Sequence, residues 1–520
     1  MKVMKPVHIF AAVAALSLSL AACDVEKKLL SVEQIGKATI ESFFSELDGL
    51  VSAGEGLHKE LRTFVDKEVL RYGDIRGDML QGTVSTDEGN LLTYNYALTA
   101  EHVGTYPRTF WADGWSVVTA ANYILYYGKK LQESGNYPFP SEQAVMEKIF
   151  AQAYFARAYA HFYLVNSYAW PYRYTADQSH LGIPVMDHVP GFDDKVERKP
   201  VSQVYELIFK DLTRAREAFA RAAELNPAQA ASLCQTDRIT DCYHISDIAC
   251  EAFLARVYLY IGDWEKAEAC AGSVMDKVPL TPYAEYVDMF RKSQDNHGQE
   301  AILRMDSYNN TSSMAALYDV SRSIGADFIP DPSMYQLYTT GDIRASLLTY
   351  VPLPTEDIYQ EGLTFDCVCK YLYDRTITDP YKQVHDCFVL RGSEMRLIYA
   401  EAVARGRGDL AAAMEQVRIL EARARNVSAA DLAGEYPVGS ADAVLSQIER
   451  ERKKELCFEG HRFYDMLRLG QNLVRSKDNN STMKTLKYPD YRFILPIDRM
   501  ECQYNEFMEQ NEGYEDYKQE

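Results

Sequence analysis

The chain has 520 residues, 47% hydrophobic and 25% charged, with 55 Lys and Arg against 75 Asp and Glu and a formal charge of −20. That length accommodates one large or two ordinary domains with a sizeable core. The acidic balance argues against nucleic acid and anionic lipid as direct partners and favours neutral or cationic ligands.

The N-terminus carries Lys2 and Lys5, then the apolar run "HIFAAVAALSLSLAA", then Cys23. A basic start, an apolar stretch too short to span and small residues at its end read as a secretory signal over residues 1–22, outside the fold. "LAAC" resembles the lipobox of bacterial lipoproteins, which implies an acylated Cys23 and a lipid anchor without a spanning helix. Loss of Lys2 and Lys5 with the signal takes the formal charge from −20 to −22. No later stretch reaches the roughly 20 apolar residues a span needs, so the mature body is expected to be soluble.

The first long insert, Asp74 to Arg108, is rich in Gly, Thr and Tyr and holds Arg76, Asp78, Tyr94, Tyr96 and Tyr106. Arg76 offers a planar donor fork and the tyrosines offer stacking faces, so these are candidate ligand contacts. Trp111, Trp115 and Asn122, on the helix that follows, read as core. "FARAYAH" from Phe155 to His161 returns as "LARVYLY" from Leu254 to Tyr260. Val201 to Ala223 has apolar residues at helical spacing.

Glu251 to Pro279 reads as two helices joined at Gly262 and Asp263. Leu254, Ala255, Tyr258, Gly262, Ala267 and Pro279 sit at the spacings of a tetratricopeptide repeat, where small residues let paired helices approach. Ala271 stands where that pattern prefers a larger aromatic. A second echo, Glu394 to Arg425, repeats the turn at Gly408 and Asp409 and the alanine at Ala413. Between them a second insert, Asp306 to Lys382, holds Tyr308, Asn309, Asn310 and Tyr318, further candidate ligand contacts. The tract from Tyr168 to Pro200 and that from about residue 470 onward are also long and irregular, and such loops usually carry function.

Besides Cys23 there are nine cysteines, 234, 242, 250, 270, 367, 369, 387, 457 and 502, an odd number that cannot all pair. "CVC" at Cys367 and Cys369 lacks the spacing of zinc or redox motifs, so most read as small buried residues, with Cys234 and Cys242 a disulfide possibility in an exported chain.

"ELCFEGHRFYDML", Glu455 to Leu467, concentrates two glutamates, a histidine, an arginine and an aspartate. Taken as a continuation of the helix that begins near Ala441, it puts Glu455, Glu459 and Arg462 on one stripe and His461, Asp465 and Arg468 on another. One straight helix cannot converge both on a ligand. Glu459 and Arg462 are therefore expected to pair while Leu456, Phe463 and Leu467 pack. No HExxH or GxSxG accompanies the stretch.

"IERERKKELCFEGHRFYDMLRLG", Ile448 to Gly470, resembles the C-terminal signature of the SusD/RagB family of outer-membrane nutrient-binding lipoproteins. Further matches follow in the family's order: "FWADGWSVVTAANYIL", "AQAYFARAYAHFYLVNSY" with "LGIPVM", "PSMYQLYTTGDIR", "KYLY", "SEMRLIYAEA", "FILPI" and "QNEGY". With the lipobox they run through nearly the whole chain.

The resemblance implies an all-α dominated fold over residues 23–520, a TPR-like helix-pair scaffold with long inserted loops that carry the ligand site. It implies a structural role for Asp78, and no catalysis, no cofactor and no metal. The expected function is capture of oligosaccharides, or of oligopeptides as in RagB-like members, for delivery to a SusC-like TonB-dependent transporter. The expected location is the outer membrane, lipid-anchored and facing the cell surface. The expected ligand contacts are Arg76, Tyr94, Tyr96, Tyr106, Tyr308, Asn309 and Tyr318. A periplasmic hydrolase and a TPR protein-interaction adaptor are the rivals from other classes.

Overall fold

In the computed structural model the described residues are 39–98, 102, 108–191, 194–229, 241–292, 298–306, 312–319, 325–356, 359–372 and 386–514. The signal segment, Cys23, Tyr106, Tyr308, Asn309, Asn310 and Cys234 lie outside them.

The chain opens with α1 (Ile40–Phe43) and α2 (Leu47–Thr63), then a π-helical turn (Phe64–Val69), α3 (Leu70–Ile75) and α4 (Glu88–Tyr94). Three long helices follow: α5 (Arg108–Glu133), α6 (Pro140–Tyr168) and α7 (Val201–Leu225). They pack in sequence, α5 on α6 and α6 on α7, with α2 across both α5 and α6. From Phe150 to Tyr168 every residue of α6 except Gln152 is buried, which is why that helix has no polar face.

The helix pair read from Glu251 to Pro279 is α8 (Asp247–Ile261) and α9 (Trp264–Met275). Gly262 closes α8 at φ +81°, a left-handed conformation glycine adopts without a Cβ penalty. The Asp263 carboxylate then accepts from the Lys266 amide and starts α9. The echo is α11 (Gly392–Arg405) and α12 (Leu410–Arg425), with Gly408 at φ +72° and Asp409 capping the Ala412 amide. These follow the short α10 (Ser313–Tyr318) of the second insert. α9 packs on α11, and α11 on α12 and α13 (Ala441–Glu455), so the array of helix pairs expected from the repeats is present. No described helix is long and apolar enough to cross a membrane.

The inserts are not free loops. β1 (Leu80–Gly82) pairs antiparallel with β3 (Phe328–Pro330), which joins the first insert to the second. β2 (Ala301–Met305) pairs antiparallel with β4 (Cys387–Arg391), which closes the second insert at its base.

One expectation is corrected. The segment after Ala441 is not one helix: α13 stops at Glu455, Phe458 (φ +62°) and Gly460 (φ +75°) turn the chain, and α14 spans Arg462–Leu469. The turn exists because two glycines let α3 and residues 458–461 touch. A Cβ on Gly73 would lie 2.1 Å from the Gly460 carbonyl oxygen, and one on Gly460 would lie 2.8 Å from Leu70 Cα. The Gly460 amide donates to Asp74 Oδ1 at 2.9 Å and fixes the contact.

Candidate functional site

The charged stretch from Glu455 to Leu467 is a closed set of ion pairs. Glu455 accepts from Arg391 (2.7 Å), Arg423 (2.6 Å) and Arg344 (2.9 Å). Glu459 accepts from Arg391 at 2.8 Å and Lys370 at 2.5 Å, so its partner is not Arg462 as the helical spacing suggested. Arg462 instead forks onto Asp78 at 2.9 and 3.0 Å and reaches Glu449 at 3.1 Å. Asp78 is structural, as read. Asp465 is clamped by Arg452 and Arg468. Burial, with Arg256 and Arg452 nearby, holds the His461 imidazole well below its usual pKa, so it stays neutral. A cavity of about 270 Å³ among α11, α13 and α14 is lined by Glu401, Arg452, Arg462, Asp465 and Arg468. Each of those side chains already makes an ion pair.

The candidate contacts of the first insert are buried, which corrects their expected exposure. Arg76 is 2% exposed and donates to the Arg492 and Phe493 carbonyls, both at 2.8 Å, with its guanidinium over the Phe463 ring. The Tyr94 hydroxyl donates to Asn479 Oδ1 at 2.5 Å under the Arg475 guanidinium, and the Tyr96 hydroxyl to the Arg76 carbonyl at 2.5 Å. Tyr318 is buried against Tyr371, its hydroxyl 3.5 Å from Asp74. The physical reason is that the C-terminal tract folds over the first insert and takes up Arg76 and Tyr94, while Tyr318, in the second insert, is enclosed by Tyr371, Phe458 and Asp74. Asp74 is itself enclosed, and burial raises its pKa well above the usual carboxylate range.

The two inserts nonetheless meet. Their ends converge on the π-helical turn, whose Phe64, Val65, Glu68 and Val69 face the core while Asp66 and Lys67 are only partly covered. Asp66 accepts from Ser312 Oγ (2.8 Å) and the amides of Ser313 (2.6 Å) and Met314 (3.2 Å), which pins the start of α10. One turn earlier Arg62 donates to the Asp306 carbonyl at 3.0 Å, and His58, 3.8 Å from the Asp306 carboxyl, lowers its pKa. On the other side Lys67 pairs with Asp113 at 3.0 Å, which ties the turn to the start of α5. Departures from regular α-helix of this kind recur at functional sites.

Beside that junction α2 and α5 bound an open groove of about 450 Å³, lined by Glu60, Ala112, Trp115, Ser116, Thr119, Ala120 and Tyr123. Trp115, Thr119, Tyr123 and Tyr127 stand four residues apart and so form one row along α5. Both groove rings are held by neighbours: Trp115 lies edge-on to Trp111 (5.5 Å) and His161 (5.5 Å), and Tyr123 stacks on Tyr127 at 6.0 Å. Ala112, Ser116 and Ala120 keep the floor shallow. Trp111 and Asn122 are buried as expected, whereas Trp115 is only partly covered. Trp115 and Tyr123 also pack against the core, and the i, i+4 aromatic row is the sequence signal for this face. Among the described residues no group of three His, Cys, Asp or Glu side chains could hold a metal ion.

Fixed aromatic faces beside hydroxyls and one carboxylate suit a ligand that presents apolar C–H faces and hydroxyls together. Residues 364–514 match the family model described as the SusD family, and residues 66–259 match that described as "Starch-binding associating with outer membrane". "SusD-like protein P2" of Formosa agariphila is 24% identical over 497 residues, covering 87% of this chain and 89% of that one. A SusD superfamily protein of Bacteroides thetaiotaomicron superposes with a TM-score of 0.72 at 22% identity, covering 89% of this chain and 99% of that one. A protein of Bacteroides vulgatus described as a putative sugar binding protein gives 0.71 at 23% identity, covering 90% and 98%. A structure described as a laminarin binding SusD-like protein gives 0.65 at 21%, covering 89% and 99%.

Proposed function

The chain belongs to the SusD/RagB family, and from that premise we propose that it captures oligosaccharides in the α2–α5 groove. It then passes them, without turnover, to a SusC-like TonB-dependent transporter while a lipid anchor at Cys23 holds it at the outer membrane, facing the cell surface. The observation that carries the reading is the pre-set aromatic row with Ser116, Thr119 and Glu60 around it. A pyranose C–H face stacks on Trp115 or Tyr123, and the Glu60 carboxylate accepts from sugar hydroxyls. An open, wet groove gives modest affinity and permits release to the transporter. The family model described as starch-binding and the solved structures described as sugar-binding and laminarin-binding support the ligand class.

The test is calorimetric titration of the purified protein with neutral glucan oligosaccharides and, in competition, oligopeptide mixtures. Tyr123→Ala should weaken glycan binding by about 0.5–1.5 kcal/mol, the usual worth of one stacking contact. Glu60→Gln should weaken it as well, with the melting temperature unchanged in both. Displacement by peptides alone would favour the RagB-like alternative. Wild-type glycan affinity in both variants would remove the groove while leaving the family assignment in place.

A further inference from the structure

We infer that the face around α1 and the C-terminal end of α5 is a lipid-contact surface, on which the body rests against the membrane beside its acyl anchor. The inference rests on the reading that Cys23 is acylated.

Ile40, Phe43, Val51, Tyr126 and Phe139 are large apolar side chains that all stand exposed, Phe139 at 65%. They belong to one patch rather than to scattered positions. Phe43 lies edge-on to Phe44, Phe44 stacks on Tyr127 at 5.3 Å, and Tyr127 meets Tyr126 at 4.9 Å. Tyr137, two residues before Phe139, ties into α2 through its hydroxyl, which accepts from the Leu47 amide at 3.0 Å and donates to Glu46 at 2.7 Å. Val51 stands one turn along α2 from Leu47. Tyrosines with a polar tip and an apolar ring, and a lysine stem laid over one of them (Lys130 Nζ 4.1 Å from the Tyr126 ring), suit the boundary between acyl chains and headgroups.

The place of Cys23 in the sequence selects the occupant. Cys23 is 16 residues before Thr39, a tether of at most about 55 Å. That tether enters the fold at α1, inside the patch. A patch on so short a leash meets the bilayer at high effective concentration, so weak apolar contact suffices to orient the body. Glu41, Glu46 and Glu133 against Lys129 and Lys130 give the surroundings no cationic excess. With Asp48 and Glu142 the surroundings are net acidic, so the contact is apolar and is weakened by anionic lipid. The groove begins at Tyr123, which stacks on Tyr127 of the patch, and its far end at Ala112 is 14 residues along α5 from Tyr126, about 21 Å away.

The test uses the full-length acylated protein reconstituted in phosphatidylcholine vesicles, with acylation of Cys23 first verified by intact mass. Phe139→Trp and, as a reference, Tyr504→Trp at another exposed site each add one indole to the 4 native tryptophans. With brominated acyl chains in the vesicles, the emission added by Phe139→Trp should fall by at least half and that added by Tyr504→Trp should not change. No quenching at 139, or equal quenching at both positions, overturns the inference; contact of this face with protein instead of lipid gives the first of these. An unmodified Cys23 overturns it through its premise, an outcome separate from the fluorescence result.

Discussion

Arg391 shows why a stretch that looks catalytic is structural. Its guanidinium reaches Glu300 and Glu455 through Nη1 and Glu459 through Nε, all three carboxylates being buried. Arg391→Ala leaves Glu455 and Glu459 short of a counter-charge and should cost about 3–5 kcal/mol in chemical denaturation, as breaking a buried pair does. A loss under about 1 kcal/mol would show the cluster to be dispensable. Around it the acids Glu300, Asp342, Glu421, Glu451, Glu455 and Glu459 face the bases Arg344, Lys370, Arg391, Arg423 and Lys454. Burial, against the pull of Arg344 and Lys454, pushes Glu451 up to about 7, and a hydrogen bond to Glu421 lets that carboxyl keep its proton. The folded-state value lies above the unfolded one near 4.5. The fold therefore holds a proton the unfolded chain releases, a contribution present below pH 4.5 and lost as pH rises through 7. Glu451→Gln should flatten the stability profile over that window and leave the variant more stable than wild type at pH 8 by on the order of 1–3 kcal/mol. Parallel profiles for the two proteins would contradict the assignment.

Among the elements, those set by local chemistry were legible and those set by distant partners were not. Gly262, Asp263, Gly408 and Asp409 stop one helix and cap the next within a few residues, so both helix pairs could be read directly. The break between α13 and α14 was hidden because apolar and charged residues keep helical spacing across it, leaving Gly460 as the one local sign. Gly460→Ala puts a side chain at φ +75° against Leu70 and should lower stability by about 1–3 kcal/mol, measured by thermal unfolding. The first insert misled for a related reason: Tyr94 bonds Asn479, 385 residues away, and Arg76 bonds carbonyls more than 400 residues away. Exposure judged from composition cannot anticipate a C-terminal tract that folds back. Tyr94→Ala is thus expected to cost about 3–5 kcal/mol of stability, as loss of a buried aromatic does, while glycan affinity per folded molecule stays at the wild-type value. At the junction, Asp66→Ala removes the acceptor of the Ser313 and Met314 amides, and hydrogen exchange there should quicken. The groove itself was half visible, since the sequence carries the aromatic spacing on α5, but Trp115 alone of that row was weighed and it was read as core.

At the scale of the whole molecule the scaffold and the membrane attachment have separate origins. The helix pairs bury nearly all of the large apolar side chains of α6, α8 and α11, and no described helix offers a span. The acidic balance, −20 over the whole chain, gives the protein no electrostatic attraction to an anionic bilayer. The patch near α1 adds orientation, and its partly exposed rings are too few to hold a chain of 59.1 kDa at a surface without help. On the proposed reading attachment depends on acyl chains at Cys23, each buried CH₂ contributing about 0.8 kcal/mol, with more than one chain needed for a stable anchor. Cys23→Ala should accordingly release a folded protein, with unchanged melting temperature and glycan affinity, into the soluble fraction. Cell fractionation followed by detergent phase partition checks this. Continued detergent-dependent membrane association of the variant would mean that protein surface, not lipid, provides the attachment.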